Sequence, residues 1–168
     1  MRTKITAFLL VILTLAACLV SCSDTNDITY TEEGMTFTLP KNMRRTSSSV
    51  YEICFTTLAT GFNAMRLDKE KLAELGLPEG MTADEYKDFF IEENEIDGEQ
   101  IELEYDEELK AYVFHYSLST DEEAYTFFYT MVFEGNDAPY FVSMTCDNEL
   151  ANDYVPTFKI WARSISFD

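Results

Sequence analysis

The sequence is poor in the residues that most often carry chemistry. It has one histidine, His115, and four cysteines, of which Cys18 falls in an N-terminal hydrophobic run and Cys22 just after it. Zinc needs three or four clustered ligands, and His115 with the scattered Cys54 and Cys146 does not supply them. A nucleophilic thiol needs an adjacent base. No spacing sets His115 beside Cys54 or Cys146, and between Phe114 and Tyr116 it reads as a packed strand residue. A phosphate loop, a Gly-x-Ser-x-Gly elbow and a dinucleotide fingerprint are all missing. Positive charge is scarce as well: 12 Lys and Arg stand against 31 Asp and Glu, for a net charge of −19. Such an excess repels nucleic acid and anionic headgroups. It suits solubility at an exposed surface. The expectation is therefore a non-enzyme with no catalytic residue, metal site, cofactor or nucleic-acid partner.

What is present begins with an address. Arg2 and Lys4 precede a nearly unbroken apolar run from Ile5 to Val20, the order of a secretory signal. The run falls short of the ~20 residues of a membrane span. Leu19-Val20-Ser21-Cys22 resembles a bacterial lipobox, and Leu15-Ala16-Ala17-Cys18 fits the same pattern. Cys22 is preferred, because Ser23-Asp24-Thr25-Asn26-Asp27 then forms a polar tether, whereas lipidation of Cys18 leaves Leu19 and Val20 next to the lipid. Residues 1–21 are read as a cleaved lipoprotein signal peptide, 22–27 as the lipidated cysteine and tether, and 28–168 as one domain. The expected location is extracytoplasmic, held to the bacterial membrane by the lipid anchor only. An extracytoplasmic location permits a Cys54–Cys146 disulfide. Cysteines in apolar strand-like runs are more often buried free thiols, however.

The domain reads as α+β. Ile28 to Pro40 forms two short strands around Glu33-Gly34, and Met35 to Leu39 alternates with strand period. Arg44 to Ser49 is a polar loop, Tyr51 to Thr56 a strand, and Gly61-Phe62-Asn63 a turn or bulge. Asp68 can cap a short helix to Leu75, with Leu72 and Leu75 buried. Thr82-Ala83-Asp84-Glu85 is a capping box opening a helix to about Asn94. Ile101 to Tyr105 is a strand with acids facing water. Tyr112 to Leu118, Ala124 to Phe133 and Tyr140 to Cys146 are apolar on both faces, as central strands covered on both sides are. Their short connections imply antiparallel pairing. Leu150, Tyr154, Phe158 and Trp161 recur at helical spacing, with Pro156 either kinking that helix or opening its second half. Ser164 to Phe167 closes as a strand.

Gly34-Met35-Thr36-Phe37-Thr38-Leu39-Pro40 resembles the opening G-x-x-F-x-x-P strand of PsbP-like domains. The ending from Phe158 to Phe167 resembles that family's helix closing into an S-I-x-F strand. The likeness covers about Ile28 to Asp168. It implies an antiparallel sheet flanked by helices, in a family that includes photosystem-associated proteins, a Ran-binding nuclear-transport factor and bacterial lipoproteins, and whose common role is binding. No site of the family maps residue by residue.

Two patterns compete with a purely structural reading. Glu93, Glu95 and Asp97, Gly98 and then Glu104 fall at positions 1, 3, 5, 6 and 12 of a calcium loop. Glu replaces Asp at position 1, the apolar residue is Ile101 at position 9, and no helix follows, so a helix end, a turn and an acid-faced strand fit better. Tyr125, Phe127, Tyr129 and Phe133 share one strand face and could form an aromatic platform, but a helix–sheet core is the favoured reading. The leading expectation is a membrane-tethered, non-enzymatic binding or accessory lipoprotein whose partner is an envelope protein. A lipoprotein capturing a small molecule or glycan in an aromatic pocket comes second. An enzyme, which would need His115 within reach of Cys54, Cys146 or a carboxylate, comes last.

Overall fold

Seven antiparallel strands with both faces covered organise the computed structural model, which describes residues 27–96, 101–121 and 124–168. In chain order the elements are β1 (Asp27–Glu32), β2 (Met35–Pro40), β3 (Arg44–Arg45), β4 (Ile53–Thr56), β5 (Thr60–Arg66), α1 (Lys69–Glu74) and α2 (Ala83–Glu93). They continue with β6 (Glu102–Asp106), β7 (Ala111–Asp121), β8 (Ala124–Phe133), β9 (Tyr140–Asp147), a 3-10 turn at Asn148–Leu150, α3 (Ala151–Arg163) and β10 (Ser166–Phe167). The large sheet has the order β3-β4-β5-β9-β8-β7-β6, and a small sheet has the order β1-β2-β10. The fold is the expected α+β class, an antiparallel sheet flanked by helices.

Strand parity assigns the two faces. Ile53, Phe55, Phe62, Ala64, Val113, Tyr129, Met131, Phe133, Val142 and Met144 bury one face together with Phe158 and Trp161 of α3 and Met35, Phe37 and Leu39 of β2. The alternate residues Met65, Phe114, Tyr116, Val132 and Phe141 bury the other face against Leu72 of α1 and Tyr86 of α2. The central strands β7, β8 and β9 are thus apolar on both sides because each side meets a covering layer. The polar pair on the helix-covered face is satisfied internally, with Thr130 Oγ1 and Ser143 Oγ 3.3 Å apart. Rings knit that layer: Phe90 and Tyr86 lie 4.7 and 5.8 Å from Phe141, centroid to centroid.

Local signals explain the ends of the elements. Glu33 and Gly34 both have positive φ, 51° and 75°, the left-handed geometry of a two-residue hairpin. A side chain at Gly34 would also meet Tyr140 Oη at 2.8 Å, and that hydroxyl donates to Glu33 O at 2.8 Å. Thr82 caps α2 with both halves of the capping box: Glu85 N donates to Thr82 Oγ1 at 3.2 Å and Thr82 N to Glu85 Oε2 at 2.9 Å. Asp68 caps α1, accepting from Lys71 N at 3.0 Å. Pro156 lies inside one helix, α3, which is entered through the 3-10 turn capped by Asp147.

Several expectations need correction. Gly61, Phe62 and Asn63 lie within β5, and the chain reverses earlier, at residues 57–59, where Thr57 N donates to Thr60 O at 2.8 Å. Arg44 and Arg45 are a short edge strand rather than loop, because they pair with Thr56 and Phe55. Leu75 is partly exposed, since α1 stops at Glu74 and leaves it on the helix end. β6 is an edge strand: Glu104 faces water as expected, but Leu103 is exposed as well, and only Ile101, just before the strand, packs against the core.

Candidate functional site

A cleft of about 590 Å³ with an apolar floor opens at one end of the sheet, which we call the distal end. It lies between the α1–α2 connection, the end of β5 and the β8–β9 turn. Its floor is apolar, from Leu67, Leu72, Met81, Ala83 and Pro139, and its rim is charged, from Arg66, Lys69, Glu79, Asp84 and Asp137. The rim charges hold each other: Arg66 pairs with Asp137, and Lys69 Nζ lies 2.9 Å from Glu79 Oε2. Arg66 Nε is buried and has no partner. Tyr112 stands at the wall, with Lys87 Nζ 4.7 Å from its ring centre, while Lys87 also bonds Asp84 and Asp88 at 2.8 and 2.9 Å.

The electrostatics favour permanent charges over proton transfer. The hydrogen bond from Lys87 holds Asp84 below the ordinary carboxylate range, and Thr82 does the same for Glu85 through its backbone and side chain. Burial works against the Lys87 charge, but its bonds to Asp84 and Asp88 outweigh it and raise the ammonium above the usual lysine value. The hydrogen bond to Glu134 pushes Tyr105 up to about 12. A general acid or base works best with a pKa near the operating pH, and each of these shifts moves its group away from neutrality.

The residues singled out by sequence are dispersed. Cys18, Cys22, Asp97 and Gly98 lie outside the described residues. Cys54 and Cys146 are both buried and free. Cys54 is paired across β5 with Asn63 and Cys146 with Thr60; Cys54, between the core-facing Ile53 and Phe55, points to the face opposite Cys146. The disulfide therefore does not form: side chains on opposite faces cannot approach to ~4 Å between β-carbons. Burial and then the Asp147 charge push the Cys146 thiol up to about 11, and burial is the main cause of the rise at Cys54. Both shifts run opposite to those of reactive cysteines.

His115 lies on the face of Cys146 but two strands away, flanked by the rings of Phe127 and Tyr129 at 5.9 and 6.2 Å. It borders a second groove, of about 430 Å³, between β6–β7 and α3, with Leu103, Glu104 and Lys159. Glu93 ends α2 and Glu104 lies in β6. Among the described residues no group of three or more His, Cys, Asp or Glu is placed to hold a metal ion. The aromatic row is core, as favoured: Phe127, Tyr129 and Phe133 are buried, and of the four only Tyr125 is exposed. The cleft itself escaped the sequence reading, because Arg66, Met81, Tyr112 and Pro139 come from four separate segments and carry no local motif.

No protein-family profile matches the chain, and no curated protein matches it significantly. Solved structures do. The Saccharomyces cerevisiae Ran-binding protein Mog1p is similar over 86% of this chain and 96% of its own, at 6% identity and a TM-score of 0.50. The cyanobacterial PsbP (CyanoP) of Synechocystis sp. PCC 6803 aligns over 88% and 96%, at 10% identity and a TM-score of 0.41. At such an identity the likeness to Mog1p shows the fold alone, a single α+β domain, and a fold hosts many functions.

Proposed function

We propose that this chain is a lipid-anchored, non-enzymatic binding or accessory protein of the bacterial envelope, and that it meets a protein partner at the distal cleft. One observation carries the reading. β1 begins at Asp27, opposite Pro40, whereas the other end of the same hairpin, Glu33-Gly34, is tied to Tyr140 and Asp168 at the distal end. The chain thus enters the domain at the end away from the cleft. A domain held by a lipid on Cys22 would point the cleft away from the bilayer, toward other envelope proteins. An apolar floor with a charged, self-paired rim is the anatomy of a protein contact site. Cys54 lies on one face and Cys146 on the other, two strands from His115, so the thiol–histidine pair does not assemble, which supports the non-enzymatic part.

The test is site-specific photo-crosslinking in cells. A benzophenone at Met81, on the cleft floor, should give a discrete covalent product in the membrane fraction, and one at Glu149, at the other end, should not. Failure of Met81 to give any product above the Glu149 background would overturn the assignment of the cleft. A small-molecule reading is favoured by the cleft volume, which lies within the ~300–1,000 Å³ of ligand pockets. Native mass spectrometry of the detergent-extracted protein distinguishes it, by a co-purifying mass that Met81→Arg removes.

A further inference from the structure

The end of the domain opposite the cleft carries a corner that the proposed function leaves unused. Met43 N donates to Pro40 O at 2.9 Å, so the chain turns directly from β2 through Lys41 and Asn42 into β3. There Arg44 pairs with Thr56, the last residue of β4. The start of β1, Lys41, Arg44 and the β4–β5 turn therefore share one end of the molecule. Leu58, at the tip of that turn, has a relative exposure of 110%, so its whole side chain stands in water. The turn is well braced: Thr57 Oγ1 accepts from Ala59 N at 3.1 Å and from Thr60 N at 2.9 Å. Lys41 and Arg44 are exposed and join no ion pair among the described residues, whereas their neighbour Arg45 is paired with Glu32.

A single exposed leucine is ordinary on a protein surface. A fully exposed one on a braced tip, beside two uncommitted cations in a chain of net charge −19, at the end where the chain enters, is a different matter. We infer that this corner docks on an anionic bilayer, with Leu58 entering the interface and Lys41 and Arg44 lying against lipid phosphates. The inference rests on the lipid-anchor reading. Because β1 starts at Asp27, the tether after Cys22 is the four residues Ser23 to Asn26, which span at most ~14 Å, so the corner sits at an effective concentration of millimolar order near the bilayer. A contact too weak to recruit a free protein is then sufficient to orient a tethered one. Of the acids at this end, Asp27 lies opposite Pro40, next to Lys41, and offsets one of the two cations, so Arg44 carries the net charge of the corner. The others, Asp147 and Glu149, lie farther off. Asp147 ends β9, three strands from β3, which is ~14 Å at the usual strand spacing and beyond the ~8 Å screening length at physiological salt. Their repulsion tilts the domain onto the Leu58 corner.

The experiment uses the full chain, expressed in a bacterium, purified from membranes and reconstituted into phosphatidylcholine vesicles with or without phosphatidylglycerol. An environment-sensitive dye is placed on Leu58→Cys or, as the distal control, on Glu107→Cys in the β6–β7 turn; Cys54 and Cys146 are buried and stay unlabelled. Nitroxide-bearing lipids should quench the dye at 58 several-fold more than at 107, only with phosphatidylglycerol present. Lys41→Glu with Arg44→Glu should abolish the difference. Equal quenching at both sites, or quenching indifferent to lipid charge and to the double reversal, overturns the inference. The mass of the N-terminal peptide separates the two readings. An unlipidated peptide overturns the anchor and this contact together, and a lipidated chain whose residue 58 stays in water overturns the contact alone.

Discussion

Gly61→Ala tests the core of the sheet where sequence and structure part company. Gly61 lies within β5, opposite Thr56 on β4 and Thr145 on β9. A methyl group there would sit 2.5 Å from Thr145 Oγ1 and 3.9 Å from Thr145 Cβ, so the hydroxyl alone causes the collision. Relief requires Thr145 to leave its rotamer or the two strands to shift, an overpacking cost of about 1–3 kcal/mol. Against this, alanine restricts the unfolded chain and returns about 0.4–1 kcal/mol where its backbone geometry is compatible. The net expectation is a loss of about 1–2 kcal/mol, read as a lower midpoint at unchanged slope in urea unfolding. The sole tryptophan, Trp161, is buried in the core and reports the transition by fluorescence. Thr145→Ala removes the offending oxygen. In that background Gly61→Ala should be neutral or stabilising, a coupling of about 1–3 kcal/mol in the double-mutant cycle. Equal destabilisation in both backgrounds, or none in the wild type, would refute the packing of glycine under Thr145.

Three further outcomes follow from the packing and the titrating groups. Thr82→Ala removes the Oγ1 that accepts from Glu85 N, while the backbone N–H at 82 still reaches Glu85; it should cost about 1 kcal/mol in urea unfolding, with Thr82→Ser restoring most of it. Phe37→Ala, at a fully buried position stacked 4.9 Å from Phe62, should cost about 3–5 kcal/mol, and a loss below 1 kcal/mol would place β2 outside the core. Cys146 has a folded pKa raised to about 11 from 9.0, so its contribution is fully present below the unfolded value and is lost as pH rises between them. Wild-type stability should fall more steeply than that of Cys146→Ala over that alkaline window, and iodoacetamide should label Cys54 and Cys146 only after unfolding.

The elements that could be read from sequence are those specified by neighbours in the chain. The capping box at Thr82, the Glu33-Gly34 hairpin, the helix spacing from Leu150 to Trp161 and the two-sided strands β7 to β9 all follow from contacts a few residues apart or from period alone. The misreadings share the opposite cause. Gly61 looked like a turn because glycine usually punctuates the chain; in β5 it makes room for Thr145 on a strand more than eighty residues later in sequence. Leu75 and Leu103 fitted apolar periodicities but stand at a helix end and on an edge strand, where no layer reaches them. The distal cleft assembles from segments that have nothing in common until the fold closes.

The aromatic richness that suggested a binding platform has a structural cause. A seven-stranded sheet covered on both faces needs bulky side chains in two layers at once, and a chain of this size has only three short helices and a small sheet as cover among the described residues. Phe37, Phe62, Phe114, Phe133, Phe141 and Phe158 are all fully buried in answer to that need. With most of both faces spent on packing, the cleft and the exposed cationic corner lie at the two ends of the strands, and those ends differ. The distal end is concave, with an apolar floor and paired charges. The other carries uncommitted cations, a bare leucine and the point where the chain enters. A domain anchored through Cys22 would thus have its orientation built into the direction of its strands, with one end for the membrane and the other for a partner.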